Sequence, residues 1–576
     1  MSNKLHMTRR LPGARFLPAG AAPAAAYLAI LLVVPLVVLV TYSFWKADFL
    51  SVTRTFTLEN YTRFFSNDLY ISILVKTLLT SFCVSSVIVF IAYQVAYAIV
   101  FRFKVWGPRI LVLIMATLLS SYIVRLFSLT TILGTNGILN MALMGLGITD
   151  EPLTYLLYGY PAIIITLVYV YLPIAVLPIF AGLQGVDRTL HEASRDLGVG
   201  SIGTFTRVTL PLSMRGVRTA FAFCFILSAA DYVAPQMVGG VDGQMIGAVI
   251  ANQFGGGSNY PFGAMLSIMM ICGFGVVLGF CLLVEKLVVR ISRCHFWARM
   301  NGAKRVRVPD VPLTETTTLL ALVFLFTPLL TVFVFSFNDT PNPGLPFGGI
   351  TLHWYADVLT DAQFHRVLLT SLRVAGIALL GVMVLAVPVA LVLVRRRFLL
   401  KKPLNMLIFA PMAVPGVVIG VALLATFVTL NVPLGTETAA AAHIMLVIPF
   451  VVQVVRTRFE SVDANIEEAA HDLGSSSFRT LRTVTLPILL PAILGAGILA
   501  AAISLDELLV TNFIIGRDAT IPVWIVSQLR TGLSPALNVV AILMLVGTLV
   551  LIGLAGLLLN GRKRARQRAT TEGIDV

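Results

Sequence analysis

Long runs of apolar residues recur along the whole chain, and they constrain its fold more than any other feature. Runs such as 24–44 and 374–394 approach the roughly 20 residues that a helix needs to cross the hydrocarbon core of a bilayer. Twelve runs are predicted as membrane spans, six in each half: 23–44, 74–100, 110–131, 158–182, 217–234 and 261–285, then 317–337, 374–394, 404–430, 438–455, 489–513 and 535–559. Composition agrees, because 58% of the residues are hydrophobic and only 12% are charged. The sequence therefore predicts an all-α polytopic membrane protein, with the first run expected to be a retained span.

Basic residues are distributed unevenly, although the net charge of +15 could at first suggest a nucleic-acid partner. If the tail 1–22 is cytoplasmic, the cytoplasmic segments hold about four times as many Lys and Arg residues as the external loops. This asymmetry predicts that both termini, the basic linker 286–316 and the basic tail 561–576 lie on the cytoplasmic face of a bacterial inner membrane. The charge then indicates topology and affinity for the lipid bilayer, and no nucleic-acid partner is expected.

The chain also repeats itself. Residues 192–211 read EASRDLGVGSIGTFTRVTLP and residues 468–487 read EAAHDLGSSSFRTLRTVTLP, so 11 of 20 positions are identical at a separation of 276. A weaker echo relates LENY at 58–61 to LHWY at 352–355. Because each half has an even number of spans, the halves 23–285 and 317–560 are expected to be two parallel six-helix repeats.

Each repeated segment follows one pattern: Glu-Ala-Ala, three residues, Gly, nine residues, a β-branched residue, any residue, and Leu-Pro. The residues concerned are Glu192, Ala193, Ser194, Gly198, Leu210 and Pro211 in the loop 184–215, and Glu468, Ala469, Ala470, Gly474, Leu486 and Pro487 in the loop 460–490. Helix-forming residues followed by glycine predict a short helix in each loop, with its glutamate in the first turn and the proline marking the start of the next span. Without any partner, such a segment would be a capped turn between two membrane helices.

This pattern resembles the EAA loop of the binding-protein-dependent importer permeases in the ATP-binding cassette superfamily, whose six-helix permease fold the two repeats would share. The resemblance implies that each short helix seats in a groove of an ATPase subunit. The chain has no GxxxxGK[ST] phosphate loop, so it is not expected to be an enzyme or to bind a cofactor. ATP and Mg would bind to two partner ATPase subunits, and a soluble periplasmic or lipid-anchored protein would capture the solute.

Three further segments narrow the resemblance. Residues 121–140 (SYIVRLFSLTTILGTNGILN) and 252–263, which end in YPFG, are similar to the first permease subunit of spermidine/putrescine importers. Residues 504–512 (SLDELLVTN) are similar to their second subunit. The resemblance therefore implies a fused permease pair for a polyamine, although importers of ferric iron and of opines or other amino-acid derivatives belong to the same branch.

Ionisable residues within the spans give an independent indication of the solute. An unpaired carboxylate in mid-membrane costs about 2.5–3.5 kcal/mol, so it normally faces a polar cavity or a partner. One interpretation is a negative lining for an organic cation; the alternative is helix-end carboxylates paired with neighbouring hydroxyl groups or Arg. The residues of the predicted pathway are Asp231, Tyr232, Asp506, Glu507 and Arg125.

Two other classes compete with the importer. A secondary transporter driven by an ion gradient also commonly has twelve spans in two parallel halves. The loop 101–109 (FRFKVWGPR) lacks the pattern of the major facilitators, and that class leaves the repeated loops unexplained. A membrane enzyme would need a polar cluster near one face, but His353, His365 and His443 have no companion at ligand spacing, and no metal site or catalytic residue is expected.

Overall fold

Helices make up most of the part of the chain that the structure describes. The computed structural model describes residues 17–47, 52–103, 105–135, 137–153, 156–257, 259–293, 313–340, 347–531, 534–550 and 553. Within these ranges ten helices are long and apolar enough to cross a membrane: Ala22–Tyr42, Asp68–Arg102, Tyr122–Gly145, Tyr160–Gln184, Phe205–Ala230, Tyr260–Leu287, Thr314–Phe335, Ala362–Arg395, Thr436–Glu460 and Ser477–Asp506. The shorter apolar helix Ala536–Val550 covers the described part of the twelfth predicted span. The fold is that of a polytopic helical membrane protein, as the sequence predicts.

Two predicted spans are not single helices. The span 404–430 consists of Lys401–Ala413 and Gly416–Thr429, which meet at an angle of 103°. Between them Val414 and Pro415 are extended, because a residue before proline disfavours the helical conformation. The span 110–131 is divided in the same way, into Gly107–Ala116, a 3₁₀ turn and Tyr122–Leu133. The prediction of one unbroken helix at each place is wrong.

The breaks fall at matching positions of the two halves. In the first half the extended residues are Ser120 and Ser121, which precede Val414 and Pro415 by 294 positions. The same separation of 294 relates Tyr61 to Tyr355 in the LENY and LHWY segments. The Tyr61 hydroxyl lies 2.9 Å from Ser43 Oγ, and the Tyr355 hydroxyl lies 2.8 Å from Ser336 Oγ. The two halves therefore resemble each other outside the repeated loop segments as well, including in the hydrogen bonds of these two tyrosines.

The first helix of each half packs on the other half. Ala22–Tyr42 lies against Gly416–Thr429, where the hydroxyls of Tyr42 and Thr429 are 2.7 Å apart. Conversely, Thr314–Phe335 packs on Asp68–Tyr97 and Tyr122–Leu133. The two halves are thus interlocked, an arrangement that local sequence patterns do not show.

The two repeated loops contain the expected short helices, but of the two motif glutamates only Glu468 lies in the first turn; the prediction is wrong for Glu192, which lies one turn further on. We call Arg188–Asp196 the first motif helix and Asn465–Asp472 the second motif helix. Each is followed by a short helix that runs without a break, through one π-helical turn, into the fifth long helix of its half. The successive segments are Ser201–Thr204, Phe205–Thr209 and Leu210–Ala230, then Ser477–Thr480, Leu481–Thr485 and Leu486–Asp506.

Pro211 and Pro487 lie in the first turns of the α-helices Leu210–Ala230 and Leu486–Asp506, as expected, but each α-helix continues an upstream helical segment, so the proline is not the first helical residue. Each proline follows a π-helical turn, whose wider hydrogen bonding accommodates a residue without a backbone N–H. The predicted spans 217–234 and 489–513 also end too late, because the helices stop at the carboxylates. Asp231 and Glu507 are both extended and form the C-caps.

Short elements complete the described chain. They comprise the antiparallel strands Lys46–Ala47 and Val52–Thr53 and the helices Glu59–Phe65, Ile138–Gly145, Val233–Val238, Ile246–Phe254, His353–Thr360, Thr511–Ile514 and Ile521–Thr531. The helix Tyr260–Arg293 continues past residue 286, where the sequence predicts the linker to begin. Most of that linker and the whole tail 561–576 lie outside the described residues.

Candidate functional site

An aspartate caps the start of each motif helix. Asp187 Oδ1 accepts a hydrogen bond from Thr189 N, and Asp463 Oδ1 accepts one from Asn465 N, both over 3.0 Å. These bonds satisfy N–H groups that a helix leaves free in its first turn. The bond from Thr189 lowers the pKa of the Asp187 carboxyl below its ordinary value, because it stabilises the charged form.

A glycine in the left-handed conformation ends each motif helix. Gly198 has a φ of 74° and Gly474 a φ of 83°, and both positions favour glycine because a side chain is strained there. The same backbone hydrogen bonds close the two ends: Val199 N to Ser194 O and Ser475 N to Ala470 O, each 3.0 Å. The glycine of the repeated pattern thus has the same local role in both copies.

The motif helices present apolar and acidic side chains to their surroundings. Leu197 is 83% exposed and Leu473, its counterpart, is 90% exposed. The pattern residues Glu192, Ala193, Glu468 and Ala469 are exposed as well. The two loops thus expose an apolar side chain and acidic side chains at matched positions.

The first copy has Ser194 where the pattern has alanine, and this serine makes a contact that alanine cannot make. Ser194 in the first copy is buried, and its Oγ lies 2.9 Å from Thr204 Oγ1. The second copy has Ala470 at this position, and the buried Thr480 Oγ1 has no hydrogen-bond partner there. Of the two residues, only serine satisfies the buried threonine.

Asp231 does not offer its carboxylate to a cavity. It is fully buried and accepts hydrogen bonds from the hydroxyls of Tyr122, at 2.6 and 2.7 Å, and Tyr171, at 2.8 Å. The backbone N–H groups of Val233 and Ala234 also donate to it, each over 3.0 Å. In this conformation its oxygens are occupied by the chain itself, as in the helix-end alternative that the sequence left open.

Asp506 and Glu507 lie at the matching end of the second half and are both partly exposed. Asp506 Oδ1 accepts a hydrogen bond from Tyr122 N over 2.8 Å, so it reaches across to the first half. Glu507 Oε1 accepts one from Val510 N over 2.9 Å. These two carboxylates, unlike Asp231, retain accessible surface next to the contact between the halves.

Arg125 is buried near these carboxylates. Its Nη1 donates to Val170 O over 3.3 Å, whereas its Nε has no hydrogen-bond partner. None of the ion pairs between described residues involves Arg125.

A cavity of about 280 Å³ lies between the two halves. Of the predicted pathway residues only Tyr232 lines it, and the Tyr232 ring is 5.5 Å from that of Phe513. The lining combines carboxamide and aromatic side chains: Tyr232, Gln236, Ala251, Asn252, Phe254, Gly255, Gly256, Leu424, Asn512 and Phe513. Gln236 and Asn512 are 276 positions apart, the separation of the two motifs, so the repeat contributes one amide from each half. Neither amide was singled out in the sequence analysis.

Tyr122, which contacts both Asp231 and Asp506, was not among the predicted pathway residues. The segment around it was identified by resemblance, but nothing in the pattern distinguishes this tyrosine from its neighbours. Among the described residues, no group of three or more His, Cys, Asp or Glu side chains could hold a metal ion.

Known proteins resemble this chain over somewhat less than half of its length. The sequence model of the family "Binding-protein-dependent transport system inner membrane component" matches residues 377–564. The putrescine transport system permease protein PotI of Escherichia coli K12 is 33% identical over 243 residues, which are 86% of that protein and 41% of this chain. The spermidine/putrescine transport system permease protein PotB of the same strain is 30% identical over 253 residues, 91% of that protein and 44% of this chain.

Among solved structures, the chain is similar to that of a bacterial ABC transporter involved in the import of the acidic polysaccharide alginate. The TM-score is 0.33 at 18% sequence identity, and the match covers 45% of this chain and 99% of the other.

Proposed function

This chain belongs to the family of inner membrane components of binding-protein-dependent transport systems, and from that membership we propose that it is the permease of an ATP-driven polyamine importer. A member of this family is a transport protein and not a catalytic enzyme. With two repeats in one polypeptide, this chain would supply both halves of the permease. It would lie in the bacterial inner membrane with both termini in the cytoplasm.

The observation that carries the proposal is the equivalence of the two motif helices. Both begin at an aspartate cap, end at a left-handed glycine and expose a leucine and a glutamate. A capped turn that only joined two membrane helices would not need an exposed leucine and an exposed glutamate at the same positions in both halves. Two equivalent docking surfaces suit two ATPase subunits, which would hold ATP and Mg because this chain lacks a phosphate loop.

The proposed solute is a polyamine such as putrescine or spermidine. Support comes from the relatives, which are named for the transport of these compounds. The partly exposed Asp506 and Glu507 would attract an organic cation, and the inter-half cavity would offer it aromatic faces and amide groups as contacts. Ferric iron and opine-like solutes are the alternatives within the same family branch.

Transport would proceed by a shift between two arrangements of the halves. ATP-driven closure of the ATPase pair would draw the motif helices together and favour one arrangement, and nucleotide release would favour the other. A decisive shift needs about 5.5 kcal/mol of differential binding. Two docked loops together with a solute-loaded binding protein on the external side would share this free energy.

Reconstitution tests the proposal. The purified chain would be placed in liposomes with a candidate ATPase and a candidate solute-binding protein from the same organism, and uptake of radiolabelled putrescine would be measured without any ion gradient. We expect uptake that requires ATP and the binding protein. Uptake that requires an ion gradient instead would support a secondary transporter and contradict the proposal, and labelled ferric iron or an opine in place of putrescine would test the alternative solutes.

A further inference from the structure

Glu467, the residue just before the glutamate of the second motif, connects three separate elements of the second half. We propose that Arg395, Glu467 and Thr485 form a positioning unit that transmits the movement of the second motif helix to two membrane helices. We call these three residues the anchor. The inference rests on the proposed function, because it assigns a mechanical role within ATP-driven transport.

Both carboxylate oxygens of Glu467 are used within the anchor. Oε2 accepts a hydrogen bond from Arg395 Nε over 2.7 Å, and Oε1 accepts one from the Thr485 hydroxyl over 2.7 Å. The side chains of Arg395 and Glu467 are only 26% and 21% exposed. Charge-assisted hydrogen bonds at this distance are stronger than neutral ones, and partial burial protects them from the screening that weakens exposed ion pairs.

Further contacts hold the arginine of the anchor in place. Arg395 Nη2 donates to Val462 O over 3.1 Å, and the guanidinium lies 4.2 Å from the centre of the Phe459 ring. Phe459 and Val462 belong to the end of the preceding long helix and the turn after it. The guanidinium is therefore held by an ion pair, a backbone carbonyl and an aromatic face. Because it is held in this way, a movement of the motif helix would act on the helix end that carries Arg395.

The three residues of the anchor lie on three different helical elements. Arg395 is the last residue of the helix Ala362–Arg395, and Thr485 is the last residue of the π-helical turn before Leu486–Asp506. Glu467 is in the first turn of the second motif helix. A displacement of that helix consequently acts on the ends of two membrane helices, one of which leads directly to Asp506.

The first half has different residues at the matching positions. The separations of 294 and 276 place Phe101 opposite Arg395 and His191 opposite Glu467, whereas Thr209 matches Thr485. Phenylalanine and histidine cannot form the arginine–carboxylate pair. The structure therefore shows the arginine–carboxylate pair of the anchor in the second half, whereas Arg102, at the end of the corresponding helix Asp68–Arg102, lies 3.5 Å from Glu315 Oε1 through its Nε.

The ratio of ATP hydrolysed to putrescine transported tests this role in the reconstituted complex described above. For Glu467→Gln we expect hydrolysis to persist and the ratio to rise at least about fivefold, the lower end of typical coupling effects. The double variant Arg395→Glu with Glu467→Arg restores the ion pair in reverse and should recover much of the wild-type ratio. The matched control is Glu460→Gln, which removes an ion pair between Glu460 and Arg456 within the helix Thr436–Glu460. The ratio of ATP hydrolysed to putrescine transported should not change in this control.

The outcomes separate the anchor from the proposed function. A wild-type complex that does not couple ATP to uptake would overturn the proposed function and the anchor with it. Normal wild-type uptake, together with an unchanged ratio for Glu467→Gln, would overturn the anchor alone. So would a parallel fall of hydrolysis, uptake and thermal stability at constant ratio, because that pattern indicates a merely structural ion pair.

Discussion

The backbone N–H of Tyr122 donates to Oδ1 of Asp506 over 2.8 Å, although 384 sequence positions separate the two residues. Tyr122 begins the helix Tyr122–Leu133, so a carboxylate of the second half satisfies an N–H group at the start of a first-half helix. The hydroxyl of the same tyrosine donates to Asp231. One residue therefore connects the carboxylates at the ends of both fifth long helices.

This contact makes Asp506 a stabilising residue between the halves. Replacing it by alanine removes the acceptor, and we expect the loss of a helix-start hydrogen bond to cost about 1 kcal/mol. Asp506→Asn keeps a carbonyl oxygen at nearly the same place and should retain most of the stability. Thermal unfolding of the purified chain in detergent measures both variants. Equal stability of Asp506→Ala and wild type would contradict the importance of this bond.

Asp231 should respond differently from a solute ligand. In Asp231→Asn an acceptor oxygen becomes an NH₂ donor that faces a tyrosine hydroxyl or a backbone N–H, so we expect a cost of about 1–3 kcal/mol in stability. The concentration of putrescine at half-maximal uptake should stay close to that of the wild type, because the carboxylate is occupied by the chain itself. An increase in that concentration at unchanged thermal stability would show instead that Asp231 binds the solute.

Local patterns in the sequence predicted most helices but few of the contacts between them. The left-handed glycines Gly198 and Gly474 were readable, because glycine after a helix-forming run is a local signal. The break before Gly416–Thr429 has a local signal, because Pro415 disfavours a helical conformation at the residue before it. The matching break at Ser121 has no such signal. The partners of Asp231 are distant in sequence, so only the packed structure distinguishes its satisfied carboxylate from one that faces a pathway.

The interlocked first helices had no local signal either. Both are uniformly apolar runs, and such a run predicts a membrane span without indicating which half it packs against. The hydrogen bond between Tyr42, at the end of the helix Ala22–Tyr42, and Thr429 joins residues that are far apart in sequence. Sequence could supply the existence of this helix but not its neighbours.

The buried Thr480 predicts a stabilising substitution in the second motif helix. Ala470→Ser would place a hydroxyl where Ser194 contacts Thr204 in the first copy, and we expect a gain of about 0.5–1.5 kcal/mol, the typical net worth of one hydrogen bond. Thermal unfolding measures the change, and Ala469→Ser is the control because Ala469 is exposed. The reverse change, Ser194→Ala, should destabilise the first copy; a neutral result for both would show that the buried threonines are satisfied in another way.

The cap of the first motif helix should depend on pH. Because the folded-state pKa of Asp187 is lowered, its stabilising effect is present above the ordinary value of 3.8 and is lost as the pH falls through the lowered pKa. Hydrogen–deuterium exchange of Arg188–Asp196, compared between pH 5 and pH 3, should show lost protection at the lower pH. Asp187→Asn keeps the acceptor without titrating and should remove the difference. A pH-dependent loss of protection that persists in this variant would assign the effect to another group.

The motif glutamates provide the sharpest test of docking. Glu192 and Glu468 are exposed beside Leu197 and Leu473, so an ATPase that covers these leucines would meet both carboxylates and could form charge-assisted hydrogen bonds with them. Charge reversal by Glu192→Lys with Glu468→Lys should lower ATP-driven uptake at least about tenfold, because one unmatched charge in such an interface costs about 2–5 kcal/mol.

Insertion of the double variant into the membrane should be normal, since neither glutamate contacts the apolar core, and co-purification of the ATPase reports the docking directly. Asp357→Lys, an exposed change on the separate short helix His353–Thr360, is the control and should leave uptake intact. If the double variant retained both the bound ATPase and full uptake, the motif helices would not be the docking surface.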